Sequence, residues 1–169
     1  YLYTNPVKDQ HKVTDFDVQS YYSGLRERID RFYAASLWAE VLLKSYAGGN
    51  EAGPVYELLT AGLSVLDGAE SQNAVRRATA QFLWRYFVRI GSNPELDRCL
   101  GCGREIGAEE VRRYRPFASG VVCLDCAGEE GMRLSPGAVR YVSETAARPF
   151  AEAAEIGLAA GALSELTGF

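Results

Sequence analysis

CLGCG at residues 99–103 and VVCLDCA at residues 121–127 hold Cys99, Cys102, Cys123 and Cys126, every cysteine in the chain. The spacing is C-x2-C, twenty residues, C-x2-C. Two cysteines three apart bend around one ion from a tight turn, and a second such pair completes a tetrahedron. Gly103, directly after the second cysteine, suits that turn. Four thiolates are soft donors that select zinc, or iron in a rubredoxin-like centre. Structural disulfides would need an oxidising compartment, which nothing else in the chain suggests. A thioredoxin-like redox pair needs a strand before it and a helix starting at it, and neither stretch reads as both. A redox iron centre would be shielded by clustered aromatics, which this segment lacks. The favoured reading is a structural zinc. Four protein ligands leave no open position for substrate, so the metal folds the segment and does no chemistry.

Outward from the cysteines, residues 92–133 carry Pro94, Gly101, Gly107, Pro116 and Gly120 and no helical stripe, and form the expected four-cysteine module. Upstream, residues 19–91 read as a helical domain. Tyr21, Leu25, Ile29, Phe32, Tyr33, Leu37 and Val41 recur at three and four and predict a core-facing stripe that stops at Gly48-Gly49. Pro54 opens a second helix with Val55, Leu58, Leu59, Leu63 and Leu66 on one side. Ser71 caps a third, with Val75, Ala78, Phe82, Leu83, Tyr86 and Ile90, ending at Gly91. Short connections make these an antiparallel bundle. Downstream, residues 134–169 are expected to pack on it: a helix capped by Ser135-Pro136 and broken at Pro149, then one continuous helix through FAEAAEIGLAAGALSEL. Residues 1–18 read as two short strands around Asn5-Pro6, the second over Lys12–Phe16, with His11 in the turn. The fold class is therefore mainly α: an antiparallel helical bundle with an embedded four-cysteine zinc-finger module and short N-terminal β-strands.

The 169 residues allow one domain with an appendage or two small domains. Hydrophobic residues are 47% and charged residues 24%, ordinary for a soluble globular protein, with no run long enough to span a membrane. The chain opens on YLYTNPV without Met and ends abruptly on SELTGF, so further sequence is expected beyond it. A net charge of −4 is unlike a domain that grips DNA through phosphates. No GxxxxGK[ST] or GxSxG motif is present. Lone His11 and the pairs Glu109-Glu110 and Glu129-Glu130 read as surface groups, so no catalytic constellation is expected. Tyr21-Tyr22 and Trp84, Tyr86 and Phe87 could stack on bases, but their helical spacing reads as core.

The order of these words, RYFVRIGSNPELDRCLGCG, SGVVCLDCA, then RLSPGAVRYV, resembles the bacterial recombination mediator RecO family. That family commonly shows a helix ending in Gly, P-x-L-x-x-C-x-x-C-G, a Gly-containing C-x-x-C, and L-S-x-x-A. Here those positions are Gly91, Pro94, Leu96, Cys99, Cys102, Gly103, Cys123, Cys126, Leu134, Ser135 and Ala138. The resemblance implies an N-terminal OB-fold, of which residues 1–18 would be the last strands, a helical domain and a zinc module. It implies a non-catalytic DNA repair protein of the bacterial cytoplasm and nucleoid. Such a protein binds single- and double-stranded DNA mainly through the OB-fold, partners RecR and the C-terminal tail of single-stranded-DNA-binding protein, and helps load RecA. The acidic balance fits if the basic barrel lies upstream. Only the four cysteines carry over residue by residue, as zinc ligands. An acidic tail ending in an apolar residue wants an apolar groove beside cations, and Arg76, Arg77, Arg85 and Arg89 on the third helix are the candidates. Two other readings stand beside this one: a rubredoxin-like electron carrier fused to a bundle, and a zinc-stabilised scaffold of another complex.

Overall fold

The computed structural model describes residues 2–5, 10–45, 52–92 and 94–167. Tyr1, Pro6 and Gly48-Gly49 lie outside them. An antiparallel hairpin pairs β1 (Leu2–Asn5) with β2 (Gln10–Val13), so the second strand starts earlier than expected and His11 lies within it, opposite Thr4. A 3-10 turn at Ser23–Arg26 precedes α1 (Ile29–Ser45), α2 (Ala52–Asp67) and α3 (Gln72–Arg89). Then come β3 (Glu95–Cys99), β4 (Arg112–Arg115), β5 (Gly120–Cys123), α4 (Leu124–Ala127) and β6 (Met132–Leu134). The last elements are α5 (Pro136–Thr145), α6 (Phe150–Glu155) and α7 (Ala160–Thr167).

Helix α3 is the shared spine. Ser71 caps it, accepting from the Ala74 N–H at 3.1 Å, and Gly91 ends it at φ 88°, where a side chain would be strained. Val75, Ala78, Phe82 and Tyr86 face a bundle core with Trp38 of α1, Val55, Leu58 and Leu66 of α2, and Phe150 and Ala154 of α6. Trp38 stacks on Phe82 with ring centroids 4.3 Å apart. Ala80, one row over, belongs to a second core with Val121, Val122 and Leu134 of the sheet, Ala138 and Val142 of α5, and Leu163 of α7. That sheet, in order β3-β5-β4-β6, lay unread in the sequence.

Two expectations are corrected. The stripe read as core-facing on the first helix mostly points to solvent: Tyr21, Ile29, Phe32, Tyr33 and Leu37 are exposed, while Leu25 and Val41 pack inward. The buried row is the adjacent one, Arg31, Ala34 and Trp38. Both rows satisfy a 3.6-residue period, and Arg31 disguises the inner one. Its guanidinium is buried because it donates to three carbonyls, Gly24 at 3.0 Å, Ala69 at 2.9 Å and Asp67 at 2.6 Å, tying α1 to the α2–α3 turn. Gly24 allows this approach, since a Cβ there would lie 2.4 Å from the Asp67 carbonyl. The expected continuous last helix is also two: Ile156 is extended at ψ 124°, and α7 restarts at Ala160 on a different core from α6.

Replacing Arg31 by Met should lower stability by about 3 kcal/mol in urea unfolding, because three carbonyls lose a charged donor inside the fold. Lys at this position should recover only part of the loss, since one ammonium cannot span the fork.

Candidate metal centre

Strands β3 and β5 run parallel and side by side, and each ends on a cysteine. The Leu100 N–H reaches the Val121 carbonyl at 2.9 Å, which sets Cys99 and Cys123 at the same end of the sheet, their Sγ atoms 3.7 Å apart. The chain then folds back through a knuckle closed by the Gly103 N–H on the Cys99 carbonyl at 2.9 Å, with Gly103 at φ 73°. That turn brings the Cys102 sulfur to 3.9 Å from that of Cys123. The single turn of α4 returns Cys126. All four sulfurs lie within 4.8 Å of one another.

A tetrahedral thiolate centre with bonds of about 2.3 Å has sulfur–sulfur edges of about 3.8 Å. The two distances above match that edge, and all four cysteines are free thiols. The second pair does follow a strand and open a short helix, a setting the sequence reading denied it. Yet Cys123 has Cys99 and Cys102 of the other pair at van der Waals range, so the four act as one donor set.

The electrostatics fit a cation. Burial pushes the Cys99 thiol up, but backbone N–H groups of Cys123, Cys102 and Gly101 outweigh it and bring it down to about 6. The Gly101 and Cys123 N–H groups each lie 3.3 Å from its sulfur. The Cys123 thiol is held low, first by the Cys126 N–H and also by Arg104. Cys126 moves the other way, up to about 12, because the sulfurs of Cys123, Cys102 and Cys99 crowd it. Four negative sulfurs in this space repel one another, and a divalent ion at their centre removes the conflict.

Arginines brace the loops around the cluster. The buried Arg112 guanidinium donates to the carbonyls of Leu96, Gly107 (2.8 Å) and Glu110 (3.1 Å), and its burial lowers its pKa. Arg104 grips Glu110 through two bonds of 3.1 and 2.7 Å, and Glu110 also accepts from the Gly107 N–H at 2.7 Å. The Arg104 bonds hold the Glu110 carboxyl down at about 2. Glu110, read as solvated charge from sequence, is therefore a clasp of the long loop.

The arginines of α3 mostly face inward partners. Arg76 reaches Ser164 and Thr167 of α7 at 3.0 and 3.3 Å, and Arg77 donates to the Ala154 carbonyl at 2.8 Å. Arg85 donates to the carbonyls ending α5, Thr145 at 2.9 Å and Arg148 at 2.7 Å, and lies over the Phe150 ring. Arg89 is exposed. Sequence reading missed the feature beside them. A narrow apolar cleft of about 40 Å³ opens between α3, the sheet and α5, lined by Trp84, Phe87, Leu96, Tyr114, Val139 and Val142. It continues past Val88 to Asp97 and Arg112. Trp84, read as core, is one of its walls.

Residues 26–169 match the family described as "Recombination protein O C terminal". A DNA repair protein RecO of Rubrobacter xylanophilus is 34% identical over 136 residues, 79% of this chain and 53% of that protein. One from Moorella thermoacetica is 29% identical over 119 residues, 70% of this chain and 43% of that protein. One from Desulfatibacillum aliphaticivorans is 26% identical over 132 residues, 77% of this chain and 49% of that protein. The chain spans about half the length of these curated relatives.

The cluster should bind one divalent ion per chain, counted by elemental analysis, with affinity that falls as pH falls. The sign follows from Cys126: its thiol keeps its proton at neutral pH without an ion, and that proton must leave on binding. Stripping the ion should abolish hydrogen-exchange protection in β4 and β5 while α1 and α2 keep theirs, because the two sets of residues lie in different cores.

Proposed function

Because the chain belongs to the recombination protein O family, we propose that it serves as a non-catalytic DNA repair and recombination mediator in the bacterial cytoplasm, at the nucleoid. The observation that carries this reading is the match itself, which runs through the helices and the four-cysteine module as one unit. No described helix is long and apolar enough to cross a membrane. The ion we assign is zinc, held by Cys99, Cys102, Cys123 and Cys126. It closes the loops of the module and takes no part in a reaction, since the four sulfurs complete its coordination. The same donors accept iron, and colour decides: a zinc protein is colourless and an iron–thiolate protein is red.

The mediator works by holding partners. We assign DNA contact mainly to an OB-fold ending in the β1–β2 hairpin. The exposed row Ile29, Phe32, Tyr33 and Leu37 of α1 offers that barrel an apolar seat. RecR and RecA loading belong to the assembled protein. The tail of single-stranded-DNA-binding protein is assigned to the cleft between α3 and α5. Its apolar last residue would lie against Trp84, Val139 and Val142, and Arg89, exposed on α3 and free of the bonds that engage Arg112, is the cation left to meet its acidic residues. This moves the tail site off Arg76, Arg77 and Arg85, whose guanidinium groups already fasten the C-terminal helices.

A labelled tail peptide should bind the metal-loaded chain saturably in fluorescence anisotropy and lose binding when the ion is stripped. Val139→Glu should abolish it, and Arg89→Glu should weaken it about tenfold, the scale of one charge-assisted contact. No binding to the metal-loaded chain would remove the tail site from this part of the protein.

A further inference from the structure

The outer face of the cysteine module carries a row of cations that its own stability does not explain. Along β4, Arg112 and Tyr114 turn inward, against the cleft and core, so Arg113 and Arg115 share the opposite face. On β6, Arg133 stands directly opposite Arg113 in the antiparallel register. Like charges placed opposite each other across a strand pair destabilise it. The acids nearby answer this only in part. Arg133 pairs with Glu165, and Arg115 lies 3.5 Å from Glu130, an exposed and therefore weak pair. The Nε of Arg115 is buried without a hydrogen-bond partner. Arg113 donates to the Gly131 carbonyl at 3.0 Å.

The row ends in apolar groups. Immediately beyond Arg115 the chain makes a 3-10 turn, Pro116–Ala118, that lifts Phe117 fully into solvent. Pro116 fixes the entry to the turn, and Ser119 leaves it in the left-handed region at φ 48°, so the ring stands on a defined support. Leu100, from the cysteine knuckle, lies over Gly120, which opposes Arg115 in the register. Leu100 is half exposed on that same face. Cations two residues apart on one strand, about 6.6 Å along it, then lead to a bare aromatic ring with an aliphatic shelf beside it.

We propose that this face is a single-stranded nucleic-acid contact: Arg113 and Arg115 hold successive phosphates and Phe117 stacks on an unpaired base, with Leu100 alongside. The pattern of backbone cations followed by an exposed ring is what sequence-tolerant single-strand binding requires. Duplex fits less well, since its bases hide their faces from a ring on a short turn. The proposal rests on the mediator reading and deepens it, by placing one strand contact in the metal module itself.

The test titrates the metal-loaded chain into labelled oligo(dT) and into a labelled duplex, following anisotropy from low to moderate salt. Phe117→Ala should weaken oligo(dT) binding about tenfold, within the range for one stacked base, and leave duplex binding unchanged. Phe117→Trp should restore affinity, and its added fluorescence should be quenched on saturation. The double change Arg113→Ala and Arg115→Ala should reduce the salt slope by about 1.4, for two single-strand phosphate contacts. Phe117 is outside both cores, so its variants fold. Unchanged oligo(dT) binding in these variants, or no binding by the parent chain, would overturn the proposal. The tail-peptide titration reads the mediator assignment separately, so the two can fail independently.

Discussion

Four thiolates confined within 4.8 Å are tolerable only around a cation, and the remainder of the module depends on that confinement. The β3–β5 ladder is short and irregular, its register slipping between Glu95 and Cys99, so backbone pairing alone holds the parallel strands weakly. The ion would supply the missing closure, joining the end of β3, the knuckle, the end of β5 and α4 at one point. With those four pieces fixed, Val121 and Val122 of the central strand are buried on both faces of the sheet. Without them, a segment with few apolar side chains has little reason to order.

A second regularity runs through the fold. Buried and half-buried arginines here serve carbonyls in preference to carboxylates. Arg31 gathers the α2–α3 turn, Arg112 gathers the long loop of the module, and Arg85 gathers the end of α5. Each ties together backbone that has left its helix or strand and adds a charged donor to carbonyls that face away from the regular ladders. Five planar donors suit this work better than an ammonium, and these positions are Arg in a chain with only a few Lys.

This use of arginine limits what the amino-acid order reveals. The cysteine centre was legible because its chemistry requires two fixed spacings and a fixed residue type. Helices α3 and α5 were legible because caps and breakers, Ser71, Gly91 and Ser135-Pro136, agree with their apolar period; α2 was legible from its apolar stripe, although it already includes Ala52 and Gly53 ahead of Pro54. The inner face of α1 was not, since Arg31 looks like a surface residue until its three carbonyls are in view. The sheet was hidden for a related reason: RRYR of β4 sets a buried arginine, Arg112, beside the partly exposed Arg113 and Arg115, which hydropathy does not distinguish. The break before α7 has no proline, and Gly157 is one of two glycines in that stretch, the other, Gly161, lying inside α7. The four α3 arginines lay correctly beside an apolar stripe, but spacing alone does not separate cations that bind partners from cations that fasten neighbouring helices.

The two cores explain why an ion with no catalytic role would matter to function. Helix α3 contributes Phe82 and Tyr86 to the bundle core and Ala80 to the module core, and it presents Trp84 and Phe87 to the cleft between. The facing walls, Leu96, Tyr114, Val139 and Val142, come from the sheet and from α5, which shares the sheet's core. One wall therefore stands on the bundle and the other on elements that the cysteine centre organises. A chain without the ion would keep α1–α3 and half of the cleft, and half a cleft is an exposed apolar helix face without selectivity. On the proposed reading, in which the cleft holds a partner and the cysteines an ion, metal occupancy and partner recognition would be linked through shared packing, with no moving part required.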